Sequence, residues 1–353
     1  MRNHRALLIS LFVALFITTA PAFAQPRFDP PGLQRALAAQ ANHTYNLLQI
    51  PGIAGTAVGV GADGQAVVRI YTEKAGIGGL PQKLDGVAVD VQVTGKIQAL
   101  KGPHIKGGVD PTDQFDKPVP LGVSSGSVET IEVVGRFITC TGGTLGGRLR
   151  NGSGSYYALS NNHVYALSND GSAGDAIVQP SPADTNCDAS SSNDIGTLSA
   201  FVPLVFDGSD NTVDAAIAAT TTSDVQNQFW DGATSPSSTT QSATVGLAVR
   251  KYGAASKLTI GKVAAINATL NIDYGNGQIA RFVNQIEFSG CKPGCIKFGD
   301  SGSLLITDDS AHNPVGLLFA GNQNGKIAFA NPIGDVVFQL NSALGGSADL
   351  GFQ

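Results

Sequence analysis

The chain has 353 residues, of which 42% are hydrophobic and 14% are charged, and its formal net charge is −5. This length is enough to bury a sizeable core in one large domain or two moderate ones. The low charge and the 44 glycines favour β structure joined by polar turns. No basic run occurs in the sequence, which argues against a nucleic-acid partner, because such proteins present a positive face to phosphate.

Residues 1–24 have the pattern of a cleaved signal peptide. Two arginines near the start precede residues 6–20, which carry no charge, and Ala22-Phe23-Ala24 has the small-x-small form of a cleavage site. A membrane anchor is the alternative, but the uncharged stretch is shorter than the roughly 20 residues that a spanning helix needs. We therefore expect a secreted or periplasmic protein that begins near Gln25 and has no membrane partner after the signal is removed.

The four cysteines can form disulfides in an exported protein, and they permit three pairings. We prefer Cys140–Cys187 together with Cys291–Cys295. The first bond would close a long loop, worth about 4 kcal/mol in the chain-entropy model, and the second would pin the CKPGC turn. A metal site is the weaker alternative, because no histidine lies near the CxxxC pair and zinc sites usually have four such ligands. We predict no metal and no cofactor.

Residues 25–119 are predicted to form a small N-terminal α+β region. Spaced apolar positions indicate a helix over residues 30–49. The segments GTAVGVGADGQAVVRIYTEK and GVAVDVQVTGKIQAL predict strands. Residues 102–125 are rich in proline, glycine and aspartate and indicate a linker or an extended crossing segment. The region is either an accessory domain or a propeptide that covers the functional site until it is removed.

Residues 120–353 contain many short apolar segments separated by turn signals. This spacing is typical of antiparallel barrels or sandwiches, so we predict a mostly β fold. The segment IGDVVFQLNSAL near the end predicts a terminal helix.

The segment GDSGS at residues 299–303 contains a candidate nucleophile, Ser301. Taken alone, it is also compatible with an ordinary β-turn. A serine nucleophile needs a base, an acid that orients the base, and N–H donors for the developing oxyanion. We expect the N–H groups of Gly299 and Ser301 to form that oxyanion hole and Asp300 to be structural.

His163 is the candidate base and Asp214 the candidate acid. His163 follows the apolar segment SYYAL, so the end of a strand would hold it rigidly. Asp214 enters the apolar segment NTVDAAIA, where a buried carboxylate needs a partner such as an imidazole N–H. The alternative for His163 is a buried structural histidine. We expect His43, on the N-terminal helix, and His104 and His312, in polar loops, to lie at the surface.

The order His163, Asp214, Ser301 and the GDSG loop resemble the trypsin-like, chymotrypsin-fold serine proteases. The pieces that carry the resemblance are SNNHVYA, IGTLSAFVPL…NTVDAAIA, VRKYGAASKLTIGKV, FGDSGSLLI and PVGLLFAGN…ANPI. They resemble most closely the bacterial and plant branch that includes the plant narrow-leaf protein. Ser303 replaces the second glycine of GDSGG, which suits the GDSGSL variant of this branch, and no triad member is missing.

The resemblance implies a double β-barrel of chymotrypsin type over residues 120–353, preceded by the small α+β region. It implies an exported serine endopeptidase that acts on protein or peptide substrates through an acyl-enzyme intermediate. By the family pattern, residues 291–298 and 319–325 would wall the specificity pocket, and neither stretch contains an acidic residue. A preference for arginine or lysine is therefore not supported, and a neutral, small or apolar residue is expected.

Two other functions share parts of this pattern. A trypsin-fold module that binds its partners but is catalytically silent is the main alternative, because folds outlive their chemistry. An esterase of the G-x-S-x-G type places its serine between a strand and a helix with the histidine last, and here His163 precedes Ser301. The oligomeric state is left open.

Overall fold

The computed structural model describes residues 29–99, 110–129, 132–134 and 137–353. The predicted signal peptide and His104 lie outside the described residues. Within the described ranges, no helix is both long and apolar enough to cross a membrane. The helices are α1 (Leu33–Leu48), α2 (Asn162–Tyr165) and α3 (Ile333–Ala343).

The strands of the described residues are short except for one long hairpin. In chain order they are β1 (Ile53–Val60), β2 (Ala66–Thr72), β3 (Lys83–Leu84), β4 (Val87–Val93), β5 (Ile97–Ala99), β6 (Val119–Leu121), β7 (Ser124–Ser127), β8 (Glu132–Val134), β9 (Phe137–Thr139), β10 (Gly143–Thr144), β11 (Gly147–Arg150), β12 (Tyr156–Ser160), β13 (Ala176–Gln179), β14 (Asn193–Phe201), β15 (Asp210–Asn211), β16 (Ala216–Thr220), β17 (Val225–Phe229), β18 (Ala248–Gly253), β19 (Lys257–Asp273), β20 (Ile279–Ser289), β21 (Leu304–Thr307), β22 (Pro314–Asn322), β23 (Ile327–Pro332) and β24 (Gly351–Phe352).

One sheet contains eight strands in the order β10-β7-β13-β14-β16-β12-β11-β24. All of its pairings are antiparallel. Leu159, Ile177 and Ile217 are completely buried on its inner face, and α3 packs into the same core through Val336 and Leu340. The predicted terminal helix is thus confirmed, and it closes the core of this first unit.

The second sheet contains twelve strands, and six of them form a ring. Its main order is β15-β20-β23-β22-β21-β18-β19-β1-β2-β4-β3, and β20 also pairs with β19. Strands β18 to β23 therefore close on themselves, which removes exposed sheet edges. The predicted mostly β fold with two barrel-type units is confirmed.

The N-terminal strands extend this second sheet instead of forming a sheet of their own. Strand β1 pairs antiparallel with β19, with Gly55 opposite Leu270, and β2 and β4 continue outwards from β1. Helix α1 lies over them, and its buried Gln40 donates from Nε2 to the carbonyl of Asn267 at 2.7 Å. The predicted helix over residues 30–49 is found from Leu33, directly after Gly32, whose φ of 82° ends the preceding turn.

A buried ion pair also joins the N-terminal strands to the barrel. Arg69 on β2 donates from its Nη1 to Glu287 on β20 at 2.8 Å, and it pairs with Asp90 at 2.9 Å. The hydroxyl of Tyr71 donates to the same Glu287 carboxylate at 2.5 Å. Polar groups buried this deeply must stay paired, so the contact fixes the register of the two regions.

Part of the predicted linker is ordered as strands. Residues 102–125 were expected to be a linker or crossing segment, and β6 and the start of β7 lie inside that range. Strand β6 pairs parallel with β17, with Val119 opposite Val225. The apolar residues Val119 and Leu121 are fully buried, which explains why this proline-rich stretch is held in the fold.

Both preferred disulfides are present. Cys140 and Cys187 are bonded with their Cα atoms 5.6 Å apart, and Cys291 and Cys295 are bonded with a separation of 5.0 Å. The second bond lies three residues before Phe298 and so restrains the approach to the GDSGS turn. The predicted pairing is confirmed.

Candidate active site

His163 is held where the first sheet ends. Strand β12 stops at Ser160, and the chain turns at once into the single-turn helix α2, which carries His163. The preceding Asn161 donates from its Nδ2 to the carbonyl of Asp214 at 2.7 Å. The His163 side chain is completely buried. The sequence-based expectation of a rigid strand end is therefore met by a strand followed directly by a helical turn.

Both carboxylate oxygens of Asp214 contact His163. Its Oδ2 lies 2.5 Å from Nδ1 of the imidazole, and its Oδ1 accepts the backbone N–H of His163 at 3.1 Å. Asp214 comes between β15 and β16, and its own N–H donates to Oδ1 of Asn331 at 3.1 Å. The histidine is thus held by its ring and by its backbone at once.

Tyr274 completes the surroundings of this carboxylate. Its hydroxyl donates to Oδ2 of Asp214 at 2.8 Å, and its ring meets the His163 ring edge-on at 5.9 Å between centroids. Burial alone would raise the pKa of Asp214, but the charge of His163 and the hydrogen bonds from His163 and Tyr274 outweigh it and lower that pKa. Burial beside Asp214 raises the pKa of Tyr274 well above its usual value, so the phenol remains a donor.

Ser301 lies in a turn that packs against the strand end bearing His163. Its carbonyl accepts the N–H of Thr144 at 2.7 Å. The next residue, Gly302, has a φ of 90°, and a Cβ there would collide with the side chain of Ser160 and the carbonyl of Thr144. Only glycine permits this close approach between the two sheets. Ser160 is the last residue of β12, three before His163.

The serine hydroxyl and the imidazole are both turned to the interior. The hydroxyl of Ser301 donates to the carbonyl of Phe319 on β22 at 3.2 Å. Within the part of the chain that the structure describes, Nε2 of His163 is buried and has no hydrogen-bond partner. Hydrogen bonds of a catalytic site are often loose without substrate and tighten only when it binds.

A buried ion pair packs against the turn that carries Ser301. Nζ of Lys251 on β18 lies 3.1 Å from Oδ2 of Asp300, and both side chains are completely buried. Asp300 also accepts the N–H groups of Ala255 and Ser256 at 3.0 and 2.9 Å and the N–H of Lys297 at 2.8 Å. Burial alone would raise the pKa of Asp300, but the charge of Lys251 and these hydrogen bonds lower it. Asp300 is structural, as expected.

Backbone hydrogen bonds fix the directions of the amide groups in this turn. The N–H of Asp300 donates to the carbonyl of Lys297 at 3.1 Å and that of Gly302 to Leu318 at 2.8 Å. The Asp300 carbonyl accepts the N–H of Ser303 at 3.0 Å. Because N–H and C=O of a trans peptide point in opposite directions, the N–H of Ser301 points away from Ser303. Gly299 adopts a φ of 93°, which only glycine takes readily.

Three contributors were missed in the sequence: Lys251, Tyr274 and the carbonyl of Phe319. A lysine inside the apolar segment LAVRKYG was a usable signal for Lys251, because an unpaired buried cation is costly. Tyr274 follows the long strand β19 with nothing in its neighbourhood to mark it. His43 and His312 are the other histidines that the structure describes, and both lie apart from the site. His43, for example, bonds Asp85 at the surface.

His163, Asp214 and Ser301 have no exposed surface. Strand β5, from the N-terminal region, lies along the edge of β22, with Ala99 opposite Ala320. The strand whose carbonyl receives the Ser301 hydroxyl is therefore already occupied by a segment of the same chain.

Part of the sequence matches that of a curated bacterial protein. Streptogrisin-D of Streptomyces griseus is 31% identical over 120 residues, which are 33% of this chain and 28% of streptogrisin-D. The match thus spans less than a third of that relative. No family model matches the sequence.

The solved structures that match the chain share less sequence with it. Thermobifida fusca protease A is 20% identical, with a TM-score of 0.41 over 64% of this chain and 96% of its own. Cellulomonas bogoriensis chymotrypsin is 18% identical, with a TM-score of 0.40 over 68% and 99%. The resemblance to the plant narrow-leaf branch stays a prediction.

Proposed function

We propose that the protein is an exported serine endopeptidase in which His163, Asp214 and Ser301 form a catalytic triad. The observation that carries the proposal is the contact of 2.5 Å between Nδ1 of His163 and Oδ2 of Asp214. This contact directs Nε2 away from the carboxylate, as a general base requires. Ser301 supplies the hydroxyl from a turn that packs against the same strand end.

The proposed reaction runs in two halves. Ser301 Oγ attacks the carbonyl carbon of the scissile bond while Nε2 of His163 takes its proton, and Asp214 stabilises the imidazolium. The C–N bond breaks as His163 returns the proton to the leaving amine, which leaves an ester on Ser301. Water, activated by His163, then hydrolyses this ester and regenerates the hydroxyl. The N–H groups of Gly299 and Ser301 would hold the oxyanion in both halves.

The first step requires the hydroxyl of Ser301 to leave the carbonyl of Phe319 and turn towards His163. The unpaired Nε2 is the acceptor that would receive it. A buried acceptor without a partner costs free energy. Because Nε2 would gain the hydrogen bond that the Phe319 carbonyl gives up, the rotation of the Ser301 hydroxyl is not opposed energetically. The silent binding module, by contrast, would have no use for an imidazole held at two points by a carboxylate.

Export is supported by the disulfides and by the signal pattern of residues 1–24. Disulfides persist in oxidising compartments, and all four cysteines are paired. The proposed location is therefore the periplasm or the extracellular space, and the proposed partners are proteins or peptides that reach it.

Of the two roles left open for residues 25–119, we propose the propeptide. Strand β5 occupies the edge of β22, and the triad side chains are completely buried in the full chain. A protein substrate has no route to Ser301 while this arrangement persists. Removal of the N-terminal region would free both the β22 edge and the site.

The experiment compares Ser301→Ala with the exposed control Ser310→Ala in casein hydrolysis by the secreted protein. The proposal expects complete loss of activity for the first and wild-type activity for the second. Hydrolysis that persists in Ser301→Ala, with thermal unfolding unchanged, would refute the triad. The N-terminal sequence of the active species distinguishes the two roles of residues 25–119. A start near Gln25 means an accessory region, and a start beyond Ala99 means a propeptide.

A further inference from the structure

Strand β4 of the N-terminal region has an outer edge that is open over its second half. Its inner edge pairs parallel with β2, and the two-residue strand β3 covers its outer edge only at the start. Within the described residues, the last backbone bond on that outer edge runs from the N–H of Val89 to the carbonyl of Gln82 at 3.0 Å. Alternate residues of a strand direct their N–H and C=O groups to the same edge, so those of Val91 and Val93 also point outwards.

The open edge carries apolar side chains and lacks the features that usually protect such an edge. Val91 is 45% exposed and Val93 is 52% exposed. Both valines continue the face of Val89, which packs against the buried cluster that α1 covers. Proteins commonly protect an open edge with lysine, proline or a bulge, and residues 89–93 contain none of these. This edge is therefore suited to receive a further strand.

The residues of this edge are complementary to themselves. The order Val89-Asp90-Val91-Gln92-Val93 reads almost the same in both directions about its central valine. When two copies pair antiparallel about Val91, valine lies opposite valine on one face, and Asp90 lies opposite Gln92 of the second copy on the other. The charge of Asp90 is already paired, because Nε of Arg69 donates to it at 2.9 Å. No like charges are brought together, so a second copy of this chain fits the edge.

The backbone groups of the edge also match in this register. The two Val91 residues would exchange both of their N–H and C=O bonds across the two-fold axis. The N–H of Val93 would donate to the carbonyl of Val89 in the second copy, and the reciprocal bond would form on the other side. The bond from the N–H of Val89 to Gln82 is left intact.

The strand ends where this pairing needs it to end. The N–H groups of Thr94 and Gly95 both donate to the carbonyl of Thr72, at 2.9 and 3.3 Å. Gly95 has a φ of 73°, which glycine adopts readily and which turns the chain out of the strand. Each copy therefore leaves the edge just after Val93, before it would meet β3 of the other copy.

We propose that the chain forms a homodimer in which two β4 strands pair antiparallel about Val91 and join two N-terminal sheets into one. The proposal does not depend on the proposed protease activity. Each copy contributes only a short strand, so we expect a Kd in the micromolar range. The interface belongs to residues 25–119, so loss of that region would leave residues 120–353 without it.

Sedimentation equilibrium of the secreted chain with Ser301→Ala, its N-terminal region verified by intact mass, tests the dimer. Over about a hundredfold range of concentration around the expected Kd, the protein should pass from monomer to dimer. Val91→Lys places like charges opposite each other and should remain monomeric throughout. Val205→Lys, at a 37% exposed valine outside the N-terminal region, is the control and should dimerise normally. Circular dichroism and thermal unfolding check that both variants are folded.

A cysteine at the centre of the pair gives a second, independent test. Opposed strand residues that exchange both bonds have Cα atoms about 5.5 Å apart, which is within the range of a disulfide. All four native cysteines are already paired with one another. On mild oxidation, Val91→Cys should form a covalent dimer at least tenfold faster than Val205→Cys.

Three results would overturn the proposal. The unsubstituted protein could stay monomeric at every concentration, or Val91→Cys could cross-link no faster than Val205→Cys. Either result would leave the edge to a strand of another protein. A dimer that persists in folded Val91→Lys would show that the copies meet at another surface.

Discussion

Lys251 and Asp300 form a completely buried ion pair, with Nζ 3.1 Å from Oδ2, directly beside Ser301. Burial lowers the pKa of Lys251 despite the attraction of Asp300. Nζ also donates to the hydroxyl of Ser256 at 2.6 Å. The pair joins strand β18 to the turn that carries the proposed oxyanion hole, so we assign Lys251 a positioning role.

Removal of this pair should separate folding from activity. Lys251→Met leaves the Asp300 charge buried alone and should cost about 3–5 kcal/mol of stability. The double variant Lys251→Met with Asp300→Asn removes both charges and should recover much of that loss. Its kcat should nevertheless fall by about 10²–10³, with a smaller change in KM, because the turn is no longer held in place for the oxyanion.

Urea unfolding and peptide hydrolysis measure the two quantities, with Lys262→Met, at an exposed position within residues 120–353, as the control. If the double variant is as stable as the wild type and keeps its kcat, the positioning role of Lys251 is wrong.

Tyr274→Phe should weaken the orientation of His163 without removing the ring that packs beside it. The variant loses the hydrogen bond of 2.8 Å to Asp214. Hydrogen bonds to charged groups contribute about 1.5–3 kcal/mol, so stability should fall by an amount in that range and kcat should fall roughly tenfold or more. Tyr157→Phe, on the first sheet, is the matched control and should leave kcat unchanged. If Tyr274→Phe and Tyr157→Phe have the same kcat, Tyr274 does not contribute to the site.

Acid should destabilise the protein through Asp300. Its folded-state pKa lies below the unfolded value, so the pair stabilises the fold above the ordinary carboxyl pKa of about 3.9. This contribution is lost as the pH falls through the lowered folded-state pKa. Thermal unfolding followed from pH 7 downwards should show a decline below about pH 4 that is shallower in the Lys251→Met, Asp300→Asn double variant. If the wild type and the double variant lose thermal stability in parallel as the pH falls, the Lys251–Asp300 pair does not cause the acid destabilisation.

Weakening the cover should expose Ser301 in the unprocessed chain. Ile97→Asp places a charge in the apolar cluster that receives β5, so β5 should detach more often. Fluorophosphonate labelling of the full-length protein should become at least tenfold faster. Gln98→Ala, whose side chain is half-buried, is the control and should label at the wild-type rate. If Ile97→Asp labels no faster than this control, β5 is not what covers the site.

The sequence predicted the parts of this molecule that depend on local pattern and spacing. Helices α1 and α3, both disulfides and the convergence of His163 with Asp214 were expected from residue types alone. These features have strong local constraints: periodicity for the helices, four cysteines for the bonds, and a carboxylate in an apolar segment that needs a donor.

Other features depend on partners far away in the chain, and local pattern does not specify them. Strand β1 pairs with β19, in which Leu270, the partner of Gly55, comes 215 residues later in the chain (270 − 55). Both strands are apolar, and many apolar strands in this chain would have served equally well as partners. The placement of β5 on β22 is of the same kind, which is why the sequence alone left the accessory and propeptide roles open.

The most direct test of the proposed triad is the site of fluorophosphonate labelling in the processed, secreted protein, mapped by mass spectrometry. With a catalytic triad we expect a single adduct on Ser301 that disappears in Ser301→Ala and is strongly reduced in His163→Ala, while Ser310→Ala labels normally. A folded, processed protein that forms no adduct, or forms one on another serine while Ser301 stays unmodified, would contradict it.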